Sequence, residues 1–500
     1  MNERPFVAGS TERPWLAWAV VVAGLVLALP PLLLPVVPLQ DFPAHCAATA
    51  IWQGGDATGL YEVVSGFGHS SLYYTLAGWL AAVSSAEWAN RLLLALALGL
   101  LPAAAVAFAR ACARRAWAPL GVAVGVAWAT PTAMGFLPWL LSMTAAFAAA
   151  AVVTRLASRV AALSAAAVAA VLLSGIHTFG AALFALLVVA ASPNVLAAAT
   201  RGGTALLAAS AVVLRARSTG SAGEAPKVGD PWERLLALPD YLSRATSGGP
   251  DAALALAVLL SLVLLAVQGR RSRVGAASPL LPAATLFLGL VCLVAPDFLD
   301  VPRIVHLATR FWPAAILLVA VWASAPVTAD SGESPRRVEV SALVAGALLA
   351  GVSTIGASLD AEALAPIRQQ LARLPMGPTT AVMTLNRPAP GSITLAFTGL
   401  HMPRYLDADG HARTIGPFFH ADSPVRLVPH RATAVDWATR DTLEYVRRLS
   451  VDIPRFVGDF AEQGPIRAEL TTLGYVECRG VLPLPWSVWV RPGIACAVPQ

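Results

Sequence analysis

Long apolar runs separated by short polar segments fill the chain from residue 15 to residue 357. An α-helix needs about 20 predominantly apolar residues to cross the hydrocarbon core of a bilayer. The pattern therefore predicts eleven membrane spans, the shortest of which is the run at 202–214. The predicted spans are residues 15–37, 91–109, 117–133, 138–154, 160–176, 179–199, 202–214, 252–267, 278–295, 311–327 and 339–357.

The basic residues between these runs predict how the chain is threaded through the membrane. Arg and Lys are enriched in the short cytoplasmic loops of membrane proteins. With the N-terminus inside, five groups of arginines between the predicted spans fall on the cytoplasmic side. These clusters are Arg110, Arg114 and Arg115, then Arg155 and Arg159, Arg201, Arg270, Arg271 and Arg273, and finally Arg336 and Arg337.

Residues 72–84 are apolar but are not predicted to be a span. If these residues formed a span, the later arginine clusters would lie outside the cell, whereas Arg and Lys are enriched in cytoplasmic loops. The segment is also short and rich in Tyr and Trp, which is typical of a helix lying in the membrane interface. Residues 38–90 are therefore predicted to form one long outer loop that contains an interfacial helix.

The pattern changes after residue 357, where apolar runs shorten and charged residues, Pro and Gly return. This change predicts two domains: a transmembrane domain at 1–357 and a small extracytoplasmic α/β domain at 358–500. Its predicted strands are 381–385, 475–478 and 486–491, and its predicted helices are 436–449 and 459–473. Cys478 and Cys496 in this domain either form one disulfide in an oxidising compartment or remain two partly buried thiols.

The composition agrees with a polytopic α-helical membrane protein. Hydrophobic residues make up 57% of the chain and charged residues only 13%, with a mean hydropathy of +0.66, whereas soluble domains carry roughly 25% charged residues. The net charge of +6 is spread over many short loops, which excludes a concentrated nucleic-acid-binding surface. The first apolar run is longer than the core of a cleavable signal peptide, so we expect it to be retained.

The most informative polar segment is Leu39-Gln40-Asp41-Phe42-Pro43-Ala44-His45-Cys46, which directly follows the first span. Pro43 disfavours a helical conformation at Phe42, so Asp41 is expected on a turn and His45 in the first turn of a following helix. Ionisable groups at the mouth of an apolar helix are costly to desolvate. Asp41 is therefore a candidate general base, and its alternative role is to cap that helix. His45 is either a hydrogen-bond partner of Asp41 or of a substrate, or an ordinary interfacial histidine.

A second cluster of ionisable residues lies at 297–310, between two predicted spans. Arginines are unexpected on an outer loop, so Arg303 and Arg310 predict an anionic partner such as a lipid phosphate. The alternative is that they form ion pairs with Asp297 and Asp300.

Four further residues are candidates for lining a cavity near these two clusters: His177, Tyr73, Tyr74 and His306. For His177, which ends the fifth predicted span, the alternative is a hydrogen-bonded histidine at a helix end. Neither the cysteines nor the histidines have the spacing of a metal-binding motif, so no metal ligands are predicted.

Together, the Asp41–His45 motif, the outer loop with Tyr73 and Tyr74, the many-span bundle and the C-terminal outer domain resemble the C-superfamily of glycosyltransferases. This superfamily includes protein O-mannosyltransferases, oligosaccharyltransferases and the aminoarabinose transferases of lipid A. The resemblance implies a multi-pass enzyme of the bacterial inner membrane that takes its sugar from a polyprenyl-phosphate donor. Asp41 would then be the general base, and Arg303 and Arg310 would bind the donor phosphate.

One departure from the superfamily concerns metal dependence. Many members have two acids close together in the first loop, whereas the residue two positions after Asp41 is Pro43. The sequence therefore leaves open whether the protein uses a divalent metal, and it contains no ligand motif for one. A second alternative is that the protein is a non-catalytic assembly subunit that binds a lipid or a glycan. A transporter of lipid-linked saccharides is a third reading. It would call for ionisable residues in mid-span, and the predicted spans contain almost none. The acceptor is not identified by the sequence.

Overall fold

The computed structural model describes most of the helical bundle and part of the C-terminal region. The described residues are 14–54, 61–63, 67–216, 229–243, 250–269, 278–295, 298–300, 303–305, 307–327, 336–373, 380–383, 425–427, 443, 446–447, 450, 454–458, 464–481 and 487–496.

Helices dominate this part of the chain. They are α1 (Pro14–Leu33), α2 (Phe42–Gly54), α3 (Ser71–Ala82), α4 (Ala86–Ala111), α5 (Trp117–Val126), α6 (Thr130–Ala133), α7 (Leu137–Arg155), α8 (Arg159–Ile176), α9 (Thr178–Ala191), α10 (Val195–Ala216), α11 (Pro231–Leu236), α12 (Leu238–Leu242), α13 (Pro250–Gly269), α14 (Leu281–Val294), α15 (Leu307–Ala323), α16 (Arg337–Leu371) and α17 (Gly464–Thr472).

Six of the described helices, α1, α4, α7, α8, α13 and α16, are long and apolar enough to cross a membrane. The apolar helices α9, α10, α14 and α15, together with the ten-residue α5, overlap the other five predicted spans. Many of their apolar side chains are exposed at the surface of the bundle, including Trp15, Trp18, Leu207 and Leu286, as expected for a surface that faces lipid. The structure thus confirms a polytopic helical membrane protein.

Small residues allow several helices to pack closely. α4 packs against α1 and α7, and α16 packs against α5 and α13. A Cβ atom added to Gly121 of α5 would lie 2.5 Å from the Cα atom of Leu343 in α16. Only glycine therefore permits this backbone approach, which is a common device where helices pack in membranes.

Two predicted helix boundaries are wrong in the middle of the bundle. The predicted span at 117–133 is two helices, α5 and α6, because the chain turns at 127–129. The predicted break near Arg201 lies instead at 192–194, so Arg201 is inside α10 rather than in a loop. Pro193 disfavours a helical conformation at the residue before it, and Asn194 accepts a hydrogen bond of 2.8 Å from the backbone N–H of Ala197, which fixes the start of α10.

The ends of two other predicted spans also differ from the structure. α4 begins at Ala86 rather than at residue 91, where Ser85 accepts a hydrogen bond of 3.1 Å from the backbone N–H of Trp88. α16 continues to Leu371, so the predicted domain boundary after residue 357 falls within a continuous helix. The predicted interfacial segment at 72–84 corresponds closely to α3; its position in the membrane interface stays a prediction.

The described strands form three small sheets. β1 (Tyr61–Val63) pairs antiparallel with β5 (Val425–Leu427), and β2 (Phe298–Asp300) pairs antiparallel with β3 (Arg303–Val305). The third sheet contains β4 (Thr380–Met383), β6 (Arg455–Gly458), β8 (Ser487–Val490) and β7 (Val476–Cys478) in that spatial order. β4 and β6 are parallel and the other neighbours are antiparallel.

The third sheet and α17 confirm a small region of mixed helix and strand near the C-terminus, close to the predicted elements at 381–385, 459–473, 475–478 and 486–491. The predicted helix at 436–449 lies largely outside the described residues. Cys478 and Cys496 form a disulfide with a Cα–Cα distance of 5.5 Å. Of the two alternatives for these residues, the structure therefore adopts the disulfide.

Candidate functional site

Asp41 lies in a turn directly before α2, and His45 lies in the first turn of α2, as the sequence predicts. The backbone N–H of His45 donates to the carbonyl of Asp41 at 3.0 Å. The turn is also bonded to the segment that follows α6. The backbone N–H of Gln40 donates to Ala133 at 3.0 Å, and that of Asp41 donates to Met134 at 3.1 Å. The backbone around this buried carboxylate is thus fixed from two sides.

Gly135 makes the close approach of these two segments possible. Its φ angle is +78°, in the left-handed region that favours glycine. A Cβ atom at this position would lie 2.8 Å from the backbone nitrogen of Asp41 and 3.1 Å from that of Phe42. A side chain here would therefore push against the turn that carries the candidate base.

His45 and Tyr74 connect α2 to α3. The Nδ1 atom of His45 and the hydroxyl of Tyr74 are 2.8 Å apart, and both side chains are buried. Burial and the nearby charge of Asp41 raise the pKa of Tyr74, so the phenol remains protonated. The hydroxyl of Tyr73, the preceding residue of α3, donates instead to the side-chain oxygen of Asn90 at 2.6 Å. Tyr73 therefore connects α3 to α4.

Arg310, in the first turn of α15, lies at the same end of the bundle and interacts electrostatically with Asp41. The Cζ atom of its guanidinium group lies 3.6 Å from the centre of the Phe136 ring. Its Nη1 atom lies 3.4 Å from the Nε2 atom of His177. Because arginine only donates hydrogen bonds, the Nε2 atom of His177 is the acceptor. The proton of its neutral ring is then on Nδ1.

His69, which was not predicted, lies beside His177. Its Nδ1 atom accepts from the backbone N–H of Thr178 at 3.4 Å and lies 3.0 Å from the Thr178 hydroxyl. Its ring centre is 4.7 Å from that of His177. Burial, and then the charge of Arg310, lower the pKa of His69 to about 4, and burial likewise lowers the pKa of His177. Both imidazoles are therefore neutral at neutral pH.

The structure thus brings together several of the predicted site residues that are distant in the sequence. The group comprises Asp41, His45, Tyr74, His177 and Arg310, and we refer to it as the Asp41 cluster. Arg303 lies opposite Asp300 in the backbone register of β2 and β3, but its side chain and the whole of His306 lie outside the described residues.

His69 and Gly135 were not predicted because the sequence around them gives little indication of what they contact. His69 is a polar residue at the start of α3 whose contact, Thr178, lies more than a hundred positions later. Gly135 lies three residues before Pro138 in a short segment between two apolar runs. Gly and Pro at this spacing indicate a turn, but they do not indicate that the turn packs against Asp41.

The Asp41 cluster combines groups suited to an acid–base step and to binding an anion. A carboxylate can take a proton from a hydroxyl, and a guanidinium group can bind a phosphate through paired hydrogen bonds. Within the described residues, no group of three or more His, Cys, Asp or Glu side chains could hold a metal ion.

Comparison with known proteins identifies the fold. No protein-family model matches the chain, and no curated protein sequence matches it significantly. Among solved structures, the chain is similar to ArnT from Cupriavidus metallidurans bound to undecaprenyl phosphate. The TM-score is 0.55 at 14% sequence identity, over 98% of this chain and 100% of ArnT. The apo state of the same protein matches with a TM-score of 0.54 at 14% identity, over the same shares of the two chains.

The cryo-EM structure of the arabinofuranosyltransferase AftD from Mycobacteria matches with a TM-score of 0.49 at 14% identity, over 96% of this chain and 40% of AftD. ArnT is an aminoarabinose transferase of the C-superfamily. The similarity to ArnT covers 98% of this chain and 100% of ArnT, so the chain shares the fold of ArnT. This agrees with the resemblance to the C-superfamily of glycosyltransferases that the sequence shows.

Proposed function

We propose that this protein is a membrane glycosyltransferase that moves a sugar from a polyprenyl-phosphate donor to a hydroxyl group of an acceptor. The observation that carries the proposal is that one segment of a bundle with the fold of ArnT holds both a carboxylate and a cation: Gly135 packs against the backbone of the buried Asp41, and Arg310 lies over the ring of Phe136. A proton acceptor and a phosphate-binding cation are the two groups that this reaction needs from the protein.

In the proposed reaction, Asp41 is the general base. It accepts the proton of the acceptor hydroxyl while the hydroxyl oxygen attacks the anomeric carbon of the donor sugar. The bond between that carbon and the phosphate oxygen breaks, and its electron pair leaves with the polyprenyl phosphate. Arg310 binds the phosphate and stabilises the negative charge that it gains. His45, whose ring is oriented by Tyr74, lines the acceptor side of Asp41.

The lipid part of the donor is proposed from ArnT, whose structure contains undecaprenyl phosphate. We further propose that the reaction takes place at the extracytoplasmic face of the bacterial inner membrane. The arginine distribution supports this orientation. The pairing of β1 with β5 places part of the first outer loop beside the C-terminal region, in agreement with a common side for both. The C-terminal disulfide agrees with an oxidising compartment.

The proposal is tested with Asp41→Asn, which keeps the shape of the side chain and removes the base. Purified wild type and variant in nanodiscs are mixed with a pool of polyprenyl-phosphate sugars, and the release of sugar-free polyprenyl phosphate is followed by mass spectrometry. We expect turnover by the wild type and a loss of about 10²–10⁴-fold in the variant, the usual contribution of acid–base catalysis.

Asp230→Asn is the matched control. Asp230 is exposed and accepts a hydrogen bond of 2.8 Å from the backbone N–H of Trp232 at the start of α11, a bond that asparagine also makes. We expect this variant to keep the activity of the wild type. Equal turnover by wild type and Asp41→Asn would remove Asp41 from the mechanism. Lack of turnover by the wild type, with a polyprenyl phosphate still co-purifying, would favour the non-catalytic binding subunit.

A further inference from the structure

The short helix α11 is attached to the C-terminal end of α14 by one arginine. Arg234 is 3% exposed, and its Nη1 atom donates to the carbonyls of Leu293 and Ala295 at 2.9 and 2.5 Å. The last carbonyls of a helix have no acceptor role within the helix itself, so a buried donor from outside satisfies them. These bonds hold α11 at the level at which α14 ends.

The end of α14 lies on the same side of the bundle as the Asp41 cluster. Residues 295–306 connect α14 to α15, and the two helices pack against each other. Helices joined by a short connection are antiparallel neighbours, so the end of α14 is close to the start of α15, where Arg310 lies. Because α14 overlaps a predicted membrane span, its end marks a boundary between hydrocarbon and water. α11 therefore lies at a membrane boundary.

The side chains of α11 divide into three faces. Arg234 points into the bundle, whereas Trp232, Leu235 and Leu236 are 64%, 41% and 64% exposed. With about 100° between successive residues of a helix, these three lie within an arc of roughly 100° on the side away from Arg234. Glu233 is also exposed and lies outside that arc. The helix thus has a face bound to the bundle, an apolar face and an acidic face.

The apolar face of α11 lies where the apolar surface of α14 ends. The exposed side chains of α14 include Phe287, Leu290 and Val294, and Val294 is in the turn to which Arg234 binds. A cluster of exposed large apolar side chains marks an interaction site. Trp is enriched at the membrane interface, where its ring contacts apolar groups and its N–H contacts polar ones. The position and the composition of this face both favour lipid as its partner.

We propose that α11 is an interfacial helix whose apolar face, formed by Trp232, Leu235 and Leu236, lies at the boundary between lipid head groups and acyl chains. Arg234 fixes the helix to the bundle, and Glu233 faces water. Amphipathic helices bind membranes in this way through buried apolar area. The inference concerns contact with membrane lipid and does not depend on the proposed function.

This contact with lipid would be made by a helix that is linked to the segment holding Asp41. α12 directly follows α11, and the hydroxyl of Thr130 in α6 donates to the carbonyl of Asp240 in α12 at 3.0 Å. The carbonyls of Ala133 and Met134, at the end of α6, accept from the backbone of the turn that contains Asp41. α11 and α12 thus connect the membrane boundary to this turn.

The test places one spin label at a time on α11 or α14 of the full-length protein in nanodiscs of phosphatidylcholine. Trp232→Cys and Leu236→Cys carry the label on the apolar face. Glu233→Cys is the matched control on another face of the same helix. Leu286→Cys is the control for a label within the bilayer, because Leu286 is 66% exposed in the middle of α14. The parent chain without an added cysteine measures labelling of the native thiols.

The accessibility of each label is measured by EPR power saturation with two relaxation reagents. Oxygen concentrates in lipid, and a nickel chelate stays in water. We expect the labels at positions 232 and 236 to prefer oxygen, at a depth of about 5–10 Å in the interface, and the label at position 233 to prefer the nickel chelate. The label at position 286 should be the deepest of the four.

Two results would overturn the inference. Preference for the nickel chelate at positions 232 and 236 would mean that the apolar face of α11 is in water. Low access to both reagents would mean that protein covers this face. Thermal unfolding of each labelled protein identifies a variant that has lost its fold, and the two positions on the apolar face provide independent measurements of the same depth.

Discussion

A single hydrogen atom in place of a side chain at Gly135 determines where Asp41 lies. The backbone of Gly135 has a positive φ angle, and a Cβ atom there would lie 2.8 Å from the backbone nitrogen of Asp41. These are two separate effects, because one is a conformational strain and the other is a contact with the site. A suitable control can separate them.

We predict that Gly135→Ala lowers the rate of sugar transfer by about 10²-fold, the effect of a displacement of about 1 Å at a reacting group. Gly474→Ala is the control, because Gly474 has a φ angle of +83° and nothing within 4 Å of its added Cβ. Both variants should lose about 1–3 kcal/mol of stability from backbone strain. Transfer rates and thermal unfolding are measured for both. A similar loss of activity in the two variants would mean that strain alone is responsible.

The neutral state of His69 predicts a pH dependence of stability. The pKa of His69 is about 4 in the folded protein and about 6.5 in an unfolded chain. As the pH falls below about 6.5, the unfolded chain takes up a proton at this histidine before the folded protein does, so the folded state loses stability down to about pH 4. His69→Asn cannot take up that proton, and its amide oxygen can still accept from Thr178. Thermal unfolding between pH 7 and pH 4 should show a shallower decline for this variant, and parallel curves would contradict the prediction.

At this scale, sequence reasoning succeeds where an ionisable residue interrupts an apolar pattern. Asp41 and Arg310 were predicted because charged side chains at the ends of membrane helices are costly and require partners. The pattern could not predict that they lie at the same end of the bundle, because about 270 residues separate them. The link is the segment at 134–136, which bonds to the backbone of Asp41 and carries the Phe136 ring under Arg310. His69 and Gly135 were missed for the same reason, because what they contact is distant in the sequence.

At the scale of elements, the end of α1 shows how the segment that carries Asp41 is fixed to the bundle. The proline pair Pro30–Pro31 lies in the last turn of α1. Arg91 of α4 is buried and donates to the carbonyls of Pro31, Leu34 and Pro35 at 3.1, 2.6 and 3.0 Å. It also forms an ion pair with Glu87, which in turn pairs with Arg368 of α16.

We predict that Arg91→Met lowers the free energy of unfolding by about 3–5 kcal/mol, the usual loss when one partner of a buried charged pair is removed. The carbonyls at the end of α1 would then lack their donors. Arg155→Met is the control, because Arg155 is exposed and bonds one carbonyl, that of Ala107, so its removal should change stability by about 0.5 kcal/mol or less. Unfolding is measured by denaturant titration in detergent. An equal loss in both variants would show that the bonds of Arg91 do not stabilise α1.

The positions of the helices were predictable because burial in lipid requires long apolar runs. Their ends were less predictable. The apolar composition continues through Ala127, Trp128 and Ala129, so the turn between α5 and α6 has no polar signal. Arg201 was predicted to lie between two spans, but α10 passes through it because the start of α10 is fixed by Asn194.

At the scale of the whole molecule, the disulfide and the pairing of β1 with β5 bear on which side of the membrane the C-terminal region occupies. Three of the five cysteines, Cys46, Cys112 and Cys292, are buried and form no disulfide, while Cys478 and Cys496 are joined. Disulfides persist in oxidising compartments and are rare in the cytosol.

We predict that the protein, denatured without reductant directly from its native membrane, has three cysteines that react with a thiol reagent, and that all five react after reduction. The unreactive pair before reduction should be Cys478 and Cys496, which mass spectrometry of the labelled peptides identifies. As a second test of the location of the C-terminal region, alkaline phosphatase is fused after residue 500. We expect the fused phosphatase to be active. Five reactive cysteines without reductant, together with an inactive fusion, would place the C-terminal region in the cytoplasm.

The pairing of β1 with β5 also imposes an order on biosynthesis. β5 is translated about 360 residues after β1, which at about 5–20 residues per second corresponds to roughly 20–70 seconds. Throughout that interval β1 lacks β5, the strand with which it pairs in the described structure, although the apolar helices that follow it can already enter the bilayer. The last step in assembling the region beside Asp41 is therefore set by the arrival of the C-terminal chain. A ribosome that terminates before Val425 releases a protein with the same membrane helices and an unfinished first loop.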